Sequence, residues 1–152
     1  MHRFIRTLTI PVEMEDAWAF FSDIKSLYEL TPAEMQLNLE IEGTSAVSEG
    51  KRFISQVNPL PLLRVKWESE IVEVRERSYF IDRQVEGPFA SWQHHHSFRE
   101  VKNGVEVTDE IDYQVPFGKL GIWTNEILIR KKIARLFDYR TEQLKNKFGL
   151  VE

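Results

Sequence analysis

The fold of this chain is decided by residues 87–115, GPFASWQHHHSFREVKNGVEVTDEIDYQV. Two alternating apolar and polar runs flank Asn103-Gly104, and this dipeptide is a strong signal for a two-residue hairpin turn. Such a turn pairs Lys102 with Val105. Counting outward gives four further pairs: Phe98 with Asp109, His96 with Ile111, His94 with Tyr113 and Trp92 with Val115. We therefore predict an antiparallel hairpin with this register.

The two faces of the hairpin differ in polarity, because successive side chains of a strand point to opposite sides. On the second strand one set is polar and faces solvent: Glu106, Thr108, Glu110, Asp112 and Gln114. The other set faces the core: Val105, Val107, Asp109, Ile111, Tyr113 and Val115. The pairing adds Trp92, His94, His96 and Phe98 to this inner face, so the prediction is an apolar face with three ionisable side chains.

Those inward ionisable groups need partners. An ionised Asp109 on a dry face is costly unless it is paired, protonated or hydrated, and His96 is its diagonal neighbour in the predicted register. The pair is either a structural hydrogen bond or part of a binding site. A zinc site formed by His94, His96 and Asp109 is a further alternative. The chain has no cysteine and, outside the triple histidine, only His2, so we expect neither a metal nor another cofactor.

Composition limits the class of protein. The chain has 152 residues, of which 42% are hydrophobic, enough for one domain with a sizeable core, and we expect a single domain over residues 1–152. The net charge of −4 argues against nucleic-acid binding. We find no apolar run long enough to cross a membrane and no signal-peptide pattern, and with no cysteine present we expect a cytoplasmic protein.

The order of predicted elements is one strand, two helices, six strands and one long helix. Strands are predicted over residues 2–10, 35–42, 51–57, 63–74 and 79–86, and the hairpin supplies two more. Short helices are predicted over 13–22 and 24–30, and a long one over 120–148. A two- or four-residue turn after Val74 puts Phe80, Asp82 and Gln84 inside, whereas a three-residue turn puts Ile81 and Val85 inside.

The long C-terminal helix has an apolar stripe at spacings of seven and four, formed by Ile122, Ile129, Ile133, Phe137 and Leu144. The predicted architecture is therefore α+β: a seven-stranded antiparallel sheet wrapped around this helix, with two short helices between strands 1 and 2. A strongly twisted sheet folded around one helix leaves a wedge between them. If side chains leave that wedge unfilled, it forms an elongated apolar cavity with a few polar groups, which is typical of a small-molecule site.

The sequence resembles the START-like (SRPBCC) superfamily, which has the helix-grip fold, and within it the bacterial ligand-binding SRPBCC domain group. The resemblance spans essentially the whole chain and is carried by these motifs: Pro11 with Trp18-Ala19-Phe20-Phe21, Leu30-Thr31-Pro32, Trp67 with Ile71, Phe80 with Asp82, Gly87-Pro88-Phe89, the hairpin residues above, Pro116, Gly118, Gly121, and Phe137 with Tyr139 and Arg140. It implies a pocket between the sheet and the last helix. By analogy, the mouth of that pocket would lie near residues 59–62, 87–90 and 116–121.

The leading functional hypothesis is binding or carriage of a hydrophobic small molecule, such as a lipid, a polyketide or an isoprenoid. Apolar contacts are expected from Trp67, Trp92, Phe98, Tyr113, Ile133 and Phe137. A polar end of the ligand would be oriented by His94, His96, Asp109 and Gln84. Arg140 is expected to pair with Asp109 or Asp82, or to contact an anionic ligand.

The alternative hypothesis is a polyketide cyclase or dehydratase in which His96 is the general acid or base, Asp109 tunes its pKa and Tyr113 is a proton donor. A third possibility is an interaction module with a vestigial pocket. The sequence indicates no nucleic-acid partner and no membrane insertion, and it fits a monomer or a homodimer.

Overall fold

The computed structural model describes residues 1–116 and 124–151, and within them the chain forms one antiparallel sheet, two α-helices and two 3₁₀ turns. The strands are β1 (His2–Ile10), β2 (Asn38–Ile41), β3 (Arg52–Leu60), β4 (Leu63–Arg75), β5 (Tyr79–Glu86), β6 (Ser91–Val101) and β7 (Gly104–Gln114). The helices are α1 (Met14–Phe21) and α2 (Glu126–Phe148), and the 3₁₀ turns are Ile24–Tyr28 and Ala33–Met35.

The sheet has the order β1-β7-β6-β5-β4-β3-β2, and every neighbouring pair is antiparallel. Among the described residues this confirms the predicted seven-stranded sheet with two short helices between its first two strands, although the one predicted over 24–30 is the 3₁₀ turn Ile24–Tyr28. A third short segment there, the 3₁₀ turn Ala33–Met35, was not predicted. The strand predicted over 35–42 is shorter, because its first residues form a 3₁₀ turn that ends at Gln36 with a φ of 48°. The predicted start of the last helix, at 120, and Ile122 lie outside the described residues.

The register predicted for the β6–β7 hairpin is wrong by two residues. Val101 pairs with Gly104 across a Lys102-Asn103 turn, so His96 lies opposite Asp109 and His94 lies opposite Ile111. Asn103 does not adopt a positive φ, whereas Gly104 has a φ of 153° and starts β7. A Cβ atom at Gly104 would collide with the carbonyl oxygen of Ile10. A shift of two residues keeps every side chain on its predicted face, so the inner face is as expected.

The β4–β5 connection combines the two alternatives that the sequence left open. Residues 76–78 form a three-residue turn, and Arg77 has a φ of 63°. A β-bulge between Ile71 and Glu73 then shifts the register by one residue. As a result Phe80 and Asp82 face inward, although a regular three-residue hairpin would have turned them outward.

Among the described residues, two apolar clusters pack on the inner side of the sheet. One surrounds α1 and contains Ile10, Met14, Ala17, Ile71, Phe80 and Phe98. The other lies under α2 and contains Phe89, Ile111, Tyr113, Ile129, Ile133 and Phe137. The helix α2 begins with Asn125, whose side chain accepts a hydrogen bond from the backbone N–H of Leu128.

Candidate functional site

A cavity of about 220 Å³ lies between the inner face of the sheet, α2 and the segment that follows α1. Most of its wall is apolar and includes Ile24, Leu27, Phe53, Trp67, Ile71, Phe80, Trp92, Ile111, Leu136 and Phe137. Its charged or ionisable lining residues include Asp82, His94, His96, Asp109 and Arg140. An apolar wall with a small polar group set is the usual composition of a small-molecule site.

Three adjacent strands bring the ionisable groups together. Asp82 is on β5, the two histidines are on β6 and Asp109 is on β7, all on inward positions. The Nε2 atom of His96 lies 2.6 Å from Oδ2 of Asp82, and the Nε2 atom of His94 lies 2.7 Å from Oδ1 of Asp109. The Nδ1 atom of His96 lies 3.5 Å from the same Asp109 oxygen. The four side chains form one connected chain of polar contacts.

Aromatic stacking fixes the planes of the two imidazoles. The rings of His94 and His96 are stacked with centroids 3.6 Å apart, and Phe80 stacks on the other side of His96 at 4.1 Å. Phe137 of α2 contacts His94 edge to face at 6.0 Å. The sheet and the helix together therefore hold both imidazoles in defined orientations.

His96 is the charged histidine of the pair. Burial would lower its pKa, but its contacts with Asp109 and Asp82 and the charges of these carboxylates raise the pKa to about 9. Burial would likewise raise the pKa of each carboxyl group, but the hydrogen bonds from the histidines lower the pKa of Asp82 and of Asp109. At neutral pH the wall thus contains an imidazolium cation between two carboxylates.

His94 is the neutral histidine. Burial and the positive charge of His96 lower the pKa of His94, and the hydrogen bond to Asp109 only partly opposes this. A carboxylate can only accept, so the Nε2–H group of His94 donates to Asp109 and its Nδ1 atom carries the lone pair.

Arg140 extends from α2 into the cavity wall. Its Nε–H group donates to the carbonyl oxygen of Leu30 at 3.2 Å, and its guanidinium lies 4.9 Å above the ring of Phe137. Burial lowers the pKa of Arg140, while the charges of Asp109 and Asp82 oppose that effect. The expected direct ion pair is absent among the described residues, because neither carboxylate lies within salt-bridge distance of the guanidinium.

The residues that offer donor atoms for a metal ion are Asp82, His94 and His96, whose ligand atoms lie within 4.8 Å of one another. Both histidine Nε2 atoms already contact carboxylate oxygens at 2.6–2.7 Å. A metal that kept these contacts would need the Nδ1 atoms, but Nδ1 of His96 already lies 3.5 Å from Oδ1 of Asp109, and the imidazolium form of His96 has no lone pair for a metal. The donor set therefore fits a hydrogen-bonded cluster better than a metal centre.

Most of the site residues predicted from the sequence line the cavity: Trp67, Asp82, Trp92, His94, His96, Asp109, Phe137 and Arg140. Four others are not in its wall. Gln84 forms two hydrogen bonds with the backbone of Phe89 and holds the β5–β6 loop. Phe98 packs in the cluster around α1, and Tyr113 and Ile133 pack in the cluster under α2.

Several cavity residues were not predicted. Ser55, Ser69 and Thr31 contribute hydroxyl groups to the wall, and Phe80 covers His96. The alternation of Phe53, Ser55 and Val57 along β3 is a signal that could have revealed Ser55. Of the residues expected near the mouth, 59–62, 87–90 and 116 do not line the cavity, and 117–121 lie outside the described part of the chain.

The family of this chain is shown by a family model. The model for "Polyketide cyclase / dehydrase and lipid transport" matches residues 10–137, which is most of the sequence. The chain therefore belongs to that family. No curated protein sequence matches it.

Solved structures share the fold at low sequence identity. Ginseng major latex-like protein 151 from Panax ginseng has a TM-score of 0.70 and 16% identity, covering 97% of each chain. A START superfamily protein from Mycobacterium smegmatis has a TM-score of 0.71 and 12% identity, again over 97% of each chain. Protein CV1439 from Chromobacterium violaceum has a TM-score of 0.73 and 8% identity, covering 98% of this chain and 99% of its own. These likenesses confirm the START-like helix-grip fold. In the described residues no helix is long and apolar enough to span a membrane.

Proposed function

We propose that this protein binds or carries a hydrophobic small molecule, of lipid, polyketide or isoprenoid type, in the cavity between the sheet and α2. The observation that carries the proposal is an apolar cavity of about 220 Å³ whose wall also holds a connected cluster of Asp82, His96, Asp109 and His94. The apolar wall supplies binding free energy, and the fixed polar groups supply orientation. The family description, which names lipid transport as well as cyclase and dehydrase activity, is compatible with this role.

A titration with the neutral fluorescent probe 1-aminonaphthalene, a molecule of two fused rings, tests the proposal. We expect saturable one-to-one binding, detected as a blue shift of the probe emission. Ser55→Leu should abolish it, because Ser55 lines the cavity and the larger side chain fills that space. The matched control is Ser97→Leu, since Ser97 lies opposite Thr108 on the outer face of the sheet.

The titration contradicts the proposal if the wild-type protein shows no saturable binding, or if Ser97→Leu removes binding as completely as Ser55→Leu. If the titration shows binding, native mass spectrometry of the purified protein, followed by solvent extraction, would identify a natural occupant as a stoichiometric adduct.

A second candidate function is dehydration or cyclisation of a polyketide-like substrate. The sequence suggested His96 as general acid or base, with Asp109 and Tyr113. Tyr113 lies outside the cavity wall, and the cationic His96 can donate a proton but cannot accept one. The observation that favours catalysis is instead the neutral His94, oriented by Asp109 at 2.7 Å, because a neutral imidazole can accept a proton.

The catalytic candidate is tested with a compact β-hydroxy ketone, 3-hydroxy-1-(2-naphthyl)butan-1-one, whose dehydration yields a conjugated enone with a new ultraviolet absorbance. If the protein is a dehydratase, the wild type forms the enone, and His94→Gln slows the reaction about a hundredfold or more. Equal rates for the wild type, His94→Gln and buffer alone would leave only the carrier function.

We further propose that the protein acts in the cytoplasm as a monomer or homodimer and without a nucleic-acid partner. The absence of cysteine and the net charge of −4 support this proposal.

A further inference from the structure

Arg140 has hydrogen-bond donors without a partner among the described residues. Its Nε–H group donates to the carbonyl oxygen of Leu30, but neither terminal nitrogen of the guanidinium forms a hydrogen bond or an ion pair with these residues. A guanidinium carries five N–H donors in a fixed planar fork and accepts none. Because Arg140 lines the cavity, its remaining donors are available to an acceptor atom on a ligand.

The charges around Arg140 already balance. Asp82 and Asp109 contribute two negative charges, and the imidazolium of His96, which is bracketed by both carboxylates, contributes one positive charge. Arg140 contributes the second positive charge, and His94 is neutral. The other two charged residues of the wall, Arg6 and Asp23, have opposite charges and leave this balance unchanged. An anionic ligand would add an uncompensated charge to a buried site, and so would a cationic one, at a considerable cost in free energy.

The volume of the cavity favours a compact ligand. Drug-sized ligands occupy pockets of roughly 300–1,000 Å³, and an apolar cavity of roughly 150 Å³ is enough to hold benzene. At about 220 Å³ this cavity fits a molecule of one or two fused rings.

We infer that the ligand is a compact, uncharged molecule with a carbonyl oxygen that accepts hydrogen bonds from the terminal N–H groups of Arg140. This inference rests on the proposed function and specifies the ligand class for the same site. The apolar wall around Trp67, Trp92 and Phe137 contacts the ring system, and Arg140 fixes the orientation of the carbonyl group.

Three matched probes test the inference by calorimetry or equilibrium dialysis: 2-acetylnaphthalene, 2-isopropenylnaphthalene and 2-naphthoate. They share the ring system and have side groups of similar shape, but these groups are a ketone, an alkene and a carboxylate. We expect the ketone to bind about tenfold or more tightly than the alkene, because a hydrogen bond from a charged donor is a strong one. The carboxylate should bind at least about tenfold more weakly than the ketone, because it brings a third negative charge.

Substitution of Arg140 assigns the preference to this residue. In Arg140→Met the ratio of ketone to alkene affinity should fall to about one, whereas Arg140→Lys should keep part of it, since lysine retains a charged donor. Because the ketone and alkene affinities are measured on the same variant, a general loss of stability lowers both of them and leaves their ratio unchanged. The control is Arg83→Met, because Arg83 is exposed on the opposite face of β5 and pairs with Glu70.

The inference is overturned if ketone and alkene bind equally, if 2-naphthoate binds most tightly, or if Arg140→Met keeps the wild-type ratio. In each of these cases binding itself would still support the proposed function. Failure of all three probes to bind would overturn both.

Discussion

His96 links the charge of the cavity wall to the stability of the protein. Its pKa of about 9 in the folded state exceeds its ordinary value of 6.5, so protonation of His96 favours folding. This stabilisation is complete below about pH 6.5 and is lost as the pH rises through about 9. We expect the free energy of unfolding to fall by at most about 3 kcal/mol over this interval because of His96.

Urea unfolding of the wild type and of His96→Gln at a series of pH values measures this contribution. The variant should be less stable at pH 6.5, and the difference between the two proteins should shrink as the pH approaches 9. His95→Gln is the matched control, because His95 is on the same strand but outside the cavity and contacts the ring of Tyr79. A constant difference between the wild type and His96→Gln across the whole interval would contradict the prediction.

At the scale of single residues, alternation along the strands predicted which side chains face inward but not which atoms meet. The faces of His94, His96 and Asp109 followed from the period of two. Their contacts depended on a register that Asn103-Gly104 did not determine. The turn residues are Lys102 and Asn103, and Gly104 is required at the start of β7 by its φ of 153° and its approach to Ile10. The sequence could not predict that His96 is the charged histidine and His94 the neutral one. That assignment depends on the distance from His96 to Asp82, a residue on another strand.

At the scale of elements, the β6–β7 hairpin depends on one glycine. Gly104→Ala should destabilise the protein by about 3 kcal/mol or more, because a φ of 153° is unfavourable for alanine and the Cβ atom would strike the end of β1. Gly43→Ala is the control: its φ is 72°, but no atom lies within 4 Å of the added Cβ, so we expect a loss of about 1 kcal/mol. Chemical denaturation measures both, and equal losses would show that the contact with Ile10 is not important.

The sequence predicted an element well where a single repeat spacing determines its buried face. It predicted an element less well where two backbone irregularities, a turn and a bulge, cancel each other. The spacing of Ile129, Ile133, Phe137 and Leu144 predicted the buried stripe of α2, and these four residues are buried. The inward position of Asp82 on β5 needed both the three-residue turn and the bulge in β4. No local pattern reports such a compensation, because a bulge leaves the composition of its strand unchanged.

At the scale of the whole molecule, the cavity is a local loss of packing. Filling part of it by Ser55→Leu should raise the free energy of unfolding by about 1–2 kcal/mol, since each buried methylene contributes about 0.8 kcal/mol. Thermal unfolding would show a melting temperature higher by a few degrees, while Ser97→Leu on the outer face should change it little. A lower melting temperature for Ser55→Leu would mean that the space beside Ser55 is too small for the added side chain.

The order of the strands also affects how this chain is synthesised. The first strand, β1, pairs with β7, and His2 lies opposite Tyr113, so the partner of β1 leaves the ribosome about a hundred residues later. The strands from β2 to β7, in contrast, pair with their neighbours in sequence as they emerge. During most of translation β1 is therefore an unpaired strand whose inward residues, Phe4 and Leu8 among them, have no surface to cover them. Nascent chains stalled before β7 should be cleaved by protease within β1, and release of the finished chain should protect it.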